Sequence, residues 1–162
     1  KSNNLLPSSP SLCLLDSDVI INWLTKEETS SEKHLWDAPY KIIKAIEAGR
    51  IKGFSTLINI LEVRFVLRRK KGFAENKIKE DITKILELLE IIVPDETNLL
   101  SANSLQDKFA LSPFDAILLS AALTKENIVL ITRDNALISI ASKLLEAANP
   151  ETFLSSISRS LK

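Results

Sequence analysis

Short apolar runs alternate along this chain with longer stretches in which hydrophobic residues return every three or four positions. The runs predict strands at residues 12–15, 51–54, 91–93, 128–131 and 143–147, since a brief continuous apolar run suits a strand covered on both faces. The periodic stretches predict helices at residues 17–24, 39–48, 56–70, 73–90, 95–109 and 113–125. In the second of these, Ile42, Ile43 and Ile46 mark the core side and Gly49 the stop. In the fourth, Ile78, Ile82, Ile85, Leu86 and Leu89 form the stripe. A last helix opens at Asn149-Pro150-Glu151, a cap followed by proline in the first helical position. Strands that alternate with helices imply an α/β fold with a mainly parallel sheet.

Four acidic residues interrupt this pattern. Asp16 ends the run Leu12-Cys13-Leu14-Leu15, and Asp134 follows the run Ile128-Val129-Leu130-Ile131. Both are therefore expected at the carboxyl edge of the sheet, where open parallel sheets bind ligands. Each also precedes a helical segment, so helix capping is the alternative reading. Glu62 lies in Leu57-Ile58-Asn59-Ile60-Leu61-Glu62-Val63, which reads as a helix apolar nearly all round and hence buried on most faces. Thr56, Asn59 and Glu62 are spaced by three and form one polar seam on it. A buried carboxylate there needs a metal ion or an arginine partner. Asp115 is the only charge between Pro113 and Leu123, in a first turn where the helix dipole favours an anion and Ser112 can cap.

Composition narrows the choices. At 162 residues the chain is read as one domain, residues 12–162, behind a Ser-, Pro- and Asn-rich flexible leader, residues 1–11. A chain of this length buries roughly 70% of its unfolded surface without staples. Lys plus Arg equals Asp plus Glu, giving a formal net charge of zero and no global basic surface. The single cysteine, Cys13, sits in an apolar run and cannot form an internal disulfide. With no secretory signal visible, the cytoplasm is the expected compartment. Methionine is absent, so residue 1 is not expected to be the translational start. No apolar stretch approaches the roughly 20 residues of a membrane span. One histidine, His34, in a polar loop, disfavours zinc and a histidine-based triad.

A shared cause accounts for the four acids better than four separate ones. Carboxylates gathered without a counter-ion raise one another's pKa, and a divalent cation removes that cost. Oxygen donors without useful Cys or His select Mg2+ or Mn2+. Such a site activates water and steadies a phosphoryl oxygen in an in-line displacement. The residues alone thus point to metal-assisted hydrolysis of a phosphate ester or phosphodiester.

The segments Leu15-Asp16-Ser17-Asp18-Val19-Ile20-Ile21, Ser55-Thr56…Asn59…Glu62-Val63, Phe114-Asp115-Ala116-Ile117-Leu118-Leu119-Ser120-Ala121-Ala122 and Ile131-Thr132-Arg133-Asp134 resemble, in order, the motifs of the PIN domain, and most nearly the VapC-like ribonuclease toxins. The ending Asn149-Pro150-Glu151-Thr152-Phe153-Leu154 is similar to the close of those domains, and the resemblance runs from about residue 12 to 158. It implies a three-layer α/β/α sandwich on a Rossmann-like parallel sheet of about five strands. It also implies an Mg2+- or Mn2+-dependent endoribonuclease, the toxin of a toxin–antitoxin pair, with RNA as substrate, a small antitoxin as partner and a homodimer as assembly. Carried over, Asp16, Glu62, Asp115 and Asp134 are the catalytic, metal-binding quartet, and Ser17, Asn59 and Thr132 support them. Asp18 stands where the family more often has a small polar residue, and the leader is longer than usual. Asp18 is either a further ligand or a helix-start acid that points outward, and the second is the expectation.

For RNA phosphates the candidates are Arg68 and Arg69, in the basic run that ends the helix of Glu62, and Arg133 beside Asp134. A helix dipole and a solvated face explain the same run. Trp23 and Trp36 are the main aromatic candidates for stacking, though Trp23 is expected to pack against the first helix. Two other functions remain open. Leu14-Leu15-Asp16-Ser17-Asp18 also fits the start of a haloacid-dehalogenase-like phosphatase, but the later lysine and paired acids of that family are not evident and Glu62 goes unexplained. A catalytically silent scaffold that binds RNA or protein is the non-enzymatic reading. Three glycines and no Gly-x-Gly-x-x-Gly argue against dinucleotide binding.

Overall fold

A computed structural model describes residues 10–26 and 34–160. Strand β1 (Ser11–Leu15) leads through α1 (Ser17–Thr25) and α2 (Asp37–Glu47) to β2 (Ile51–Thr56), then through α3 (Leu57–Arg69) and α4 (Glu75–Leu88) to β3 (Glu90–Ile92). Helices α5 (Glu96–Lys108) and α6 (Pro113–Ala122) precede β4 (Ile128–Ile131), α7 (Asn135–Ala141) precedes β5 (Glu146–Ala148), and α8 (Pro150–Ser160) closes the described chain. The five strands lie in the order β3-β2-β1-β4-β5, all pairs parallel, with Leu14 opposite Phe54 on one side and Leu130 on the other. Because β1 sits between β2 and β4, the chain leaves it in one direction and returns on its other flank. That reversal opens a crevice at the carboxyl ends of β1 and β4.

Side chains alternate across the sheet, so the two faces build separate cores. Cys13 and Leu15 face a cluster completed by Val19, Ile42, Ile60, Val63, Ile78, Ile85 and Phe153, from α1, α2, α3, α4 and α8. Leu14 faces the other way, against Phe54, Leu105, Leu119, Leu130 and Leu137, under α5, α6 and α7. The result is the expected three-layer α/β/α sandwich. Gly53 lets α2 and the end of α4 pack closely on β2: a Cβ there would lie 2.5 Å from Ile46 Cδ1 and 2.7 Å from Leu89 Cδ2, so those side chains would have to shift. Gly49, at φ +75°, ends the turn after α2 as the pattern predicts.

Some expectations shift. The last strand begins at Glu146 rather than 143, because residues 143–145 complete the turn of α7, with Leu144 and Leu145 amides both bonded to the Ala141 carbonyl. Helix α6 stops at Ala122, where a tight turn through Thr124 and a left-handed Asn127 (φ +58°) redirects the chain into β4. On α4 the buried face runs through Ile78, Asp81, Ile82 and Ile85, while Leu86, expected in the stripe, is half exposed. Residues 1–9 of the expected leader lie outside the described residues, and Ser11 already pairs with Ile51.

Candidate functional site

The end of β1 sets the first acid. Asp16 is extended (φ −72°, ψ 161°) and caps α1. Its Oδ1 accepts from the Ser17 amide at 2.7 Å and from Asn59 Nδ2 at 3.1 Å, and its Oδ2 accepts from Thr132 Oγ1 at 2.8 Å. One carboxylate thereby joins β1, α3 and the residue after β4.

The α3 seam meets it. Thr56 caps α3, accepting from the Asn59 amide at 3.2 Å and donating to Asn59 Oδ1 at 2.5 Å, which fixes the orientation of that side chain. Asn59 Nδ2 also donates to Ser17 Oγ at 2.8 Å, and Ser17 Oγ donates to Glu62 Oε2 at 3.3 Å. The seam is real, but the burial argument for Glu62 is not. Leu57, Leu61 and Phe65 are 39%, 53% and 57% exposed, and Glu62 is exposed beside them. An apolar helix surface need not be covered, so Glu62 is in water and needs neither a metal ion nor a buried arginine to be stable there.

Asp115 lies in the first turn of α6, capped by Ser112 Oγ, which accepts its amide at 3.2 Å. Asp134 caps α7, accepting from the Leu137 amide at 3.1 Å, while its own amide donates to Thr132 Oγ1 at 3.1 Å. The capping reading of Asp16 and Asp134 is therefore correct as geometry. It uses Oδ1 of Asp134 and leaves that residue exposed.

Asp18 corrects the expectation of an outward acid. Its Oδ2 accepts from the Arg133 amide at 2.9 Å and from Thr132 Oγ1 at 3.4 Å, and its Oδ1 from the Val19 amide at 2.7 Å. It faces the turn after β4, beside Asp16. The electrostatics follow from this crowding. Burial first, then the charge of Asp18 and a contribution from Asp115, push Asp16 up to about 7 against the pull of Thr132 and the Ser17 amide. Asp18 is raised by burial, opposed by the Arg133 and Val19 amides and the Arg133 guanidinium. Asp115 is raised by burial and by Asp134, opposed by Ser112. Asp16, Asp18, Asp115 and Asp134 thus form one interacting set of negative charge.

That set has the chemistry a hard divalent cation requires: oxygen donors only, repelling one another, with three of them shifted toward the protonated form. Among the described residues, no three Asp, Glu, His or Cys side chains converge closely enough to hold a metal ion as they stand. The donor type and the charge fit; the ligand side chains are not gathered.

The expected RNA contacts separate. Arg69 is exposed at the end of α3, and Arg68 pairs with Glu75 at 2.6 Å on the surface. Arg133 is turned inward: Nη1 and Nη2 each reach Glu151 at 3.0 Å, Nη2 reaches the Leu35 carbonyl at 2.6 Å, and Nε bonds Asn22 Oδ1. Trp23 packs against the core under Lys84, and Trp36 packs with His34 and Tyr40. Two exposed aromatics lie beside the acids, Phe114 (63% exposed) next to Asp115 and Phe65 (57%) on the helix of Glu62, and neither stands out from the apolar pattern of its helix.

A model of the PIN domain matches residues 13–143. Among solved structures, VapBC2 from Rickettsia felis, bound to a DNA fragment from its promoter, superposes with a TM-score of 0.61 at 16% identity, covering 85% of this chain and 98% of that one. A toxin–antitoxin complex from Klebsiella pneumoniae gives 0.62 at 18%, covering 85% and 97%. PAE2754 from Pyrobaculum aerophilum gives 0.63 at 13%, covering 94% and 98%. At these identities the likeness is one of fold. No curated protein matches by sequence.

Proposed function

The chain belongs to the PIN domain family, and from that premise we propose that it is a Mg2+- or Mn2+-dependent endoribonuclease, the toxin of a toxin–antitoxin pair. The observation that carries the reading is the interacting acidic set at the crevice, with Asp16 raised to about 7 by burial and by neighbouring acids. Asp16, Asp115 and Asp134 would hold the cation, with Glu62 approaching from α3. When bound, Mg2+ or Mn2+ supplies Lewis acidity and an activated water for in-line attack on a phosphodiester. The chain's own part is orientation. Thr132 and Asn59 fix the two oxygens of Asp16, and Ser17 relays Asn59 to Glu62. Arg68 and Arg69 at the end of α3 are the proposed contacts for RNA phosphates.

An antitoxin partner is proposed because the Klebsiella pneumoniae structure is a toxin–antitoxin complex. A homodimer and a cytoplasmic setting complete the reading. No helix among the described residues is long and apolar enough to cross a membrane.

The test is RNA cleavage with Mn2+ by the wild type and by Asp115→Asn. We expect cleavage by the first and its loss in the folded second; equal activity overturns the mechanism. The spread of the acids favours one other reading, a silent scaffold that binds RNA or protein. No saturable Mn2+ binding, or binding unchanged in Asp16→Ala, supports that reading.

A further inference from the structure

We propose that Arg133 is a positioning residue for the acidic edge: its side chain moors the turn after β4, and its backbone and neighbours hold Asp16, Asp18 and Asp134 in place. Residues 132–134 lie between β4 and α7: the Thr132 amide bonds the Ala148 carbonyl and the Asp134 carbonyl accepts from the Ile138 amide, which leaves Arg133 in the middle without a strand or helix bond. Their polar groups nonetheless supply three of the hydrogen bonds that Asp16 and Asp18 accept. The Arg133 amide donates to Asp18, Thr132 Oγ1 donates to Asp16, and the Asp134 amide donates back to Thr132 Oγ1. Such a turn needs an anchor.

The guanidinium provides it. Its fork grips both oxygens of Glu151 in the first turn of α8, its Nε bonds Asn22 on α1, and Nη2 bonds the Leu35 carbonyl just before α2. Three separate segments are thereby tied to one side chain that is 18% exposed. A planar fork of five donors can meet these partners at once, and an ammonium cannot. This use of the guanidinium leaves it no role as an RNA contact. It also makes α8, on the far side of the turn from the acids, part of their support.

The catalytic arm of this inference rests on the metal-nuclease reading; the structural arm does not. The test compares Arg133→Met, Arg133→Lys and Glu151→Gln with the wild type in three measurements: hydrogen exchange of the residue 133 amide without metal, Mn2+ affinity, and kcat and KM on RNA. Arg133→Met is expected to speed exchange at that amide, weaken Mn2+ binding by about tenfold and lower kcat by a similar factor, with KM held within about twofold. Glu151→Gln is expected to shift each in the same direction by less, and Arg133→Lys to restore none of them fully. Wild-type exchange and Mn2+ affinity in a folded Arg133→Met protein would overturn the proposal. A raised KM at unchanged kcat would also overturn it, since it makes the guanidinium a substrate contact. If the wild type cleaves no RNA while exchange at residue 133 still responds, the nuclease reading fails and the positioning role stands. If Arg133→Met does not fold, Glu151→Gln decides by the same measurements.

Discussion

Asn59 donates its side-chain amide to Asp16 Oδ1 at 3.1 Å, joining the first turn of α3 to the end of β1 across 43 positions of sequence. The same amide reaches Ser17 Oγ, and the Asn59 carbonyl oxygen accepts from Thr56, so every polar atom of this buried side chain is used.

Removing it strands its partners. Asn59→Ala is expected to cost about 1–3 kcal/mol of stability, the range for leaving buried polar groups unsatisfied. Asn59→Asp keeps the shape but sets a carboxylate against Asp16. Its loss of stability is expected to be larger at pH 7.5 than at pH 5, where one of the two carboxylates takes up a proton. Urea unfolding at both values measures the difference; an equal loss at the two would show that repulsion with Asp16 is not the cause.

Asp16 itself carries a pH dependence in the metal-free protein. Its folded value, about 7, lies above the ordinary 3.8. Folding therefore takes up a proton between those values, and stability falls as pH rises from about 4 to about 7, with the full penalty present above that window. Asp16→Asn removes the charge and keeps a good cap for α1. Its amide can meet the Thr132 hydroxyl while its carbonyl keeps Ser17 and Asn59. The variant should melt above the metal-free wild type at pH 7.5, and the gap should close near pH 4. A variant that melts lower at both would mean the hydrogen bonds of the carboxylate outweigh its burial.

A third prediction concerns α4, away from the crevice. Asp81 is 1% exposed and, among the described residues, bonds half-exposed Lys77 at 2.9 Å and leaves Oδ2 without a partner. Lys77 has its pKa raised by that bond. Taking away the lysine leaves a buried charge alone, whereas taking away the acid removes the problem. Lys77→Ala is expected to destabilise by about 1–2 kcal/mol, and Asp81→Ala to be neutral or stabilising. Thermal melts of the two variants should fall in that order, and the reverse order would show that Asp81 is satisfied by its surroundings.

What the sequence revealed depended on how local the cause was. The runs before Asp16 and Asp134 were legible because central parallel strands are covered on both faces and must be apolar throughout. The edge strand Glu146–Ala148 has no such constraint, and the neighbouring Leu144-Leu145 imitated a strand while finishing α7. The Thr56-Asn59-Glu62 seam was legible from helical spacing alone. The exposure of Glu62 was not, since an apolar composition does not state which faces of α3 are covered. Asp18 was misjudged because the amide that turns it inward belongs to Arg133, 115 positions away. Arg133 was misjudged because its partner Glu151 lies beyond both the strand and the helix that adjacency suggested.

The order β3-β2-β1-β4-β5 has a consequence for the timing of synthesis. Asp16 and Glu62 are both made before β4, yet neither has its crevice until Leu15 is opposite Ile131 and the Asp16 amide bonds the Ile131 carbonyl. The mooring of Arg133 then waits for Glu151. A growing chain of this topology carries Asp16, Asp18 and Glu62 before it carries the crevice, and the mooring closes only once Glu151 has been made.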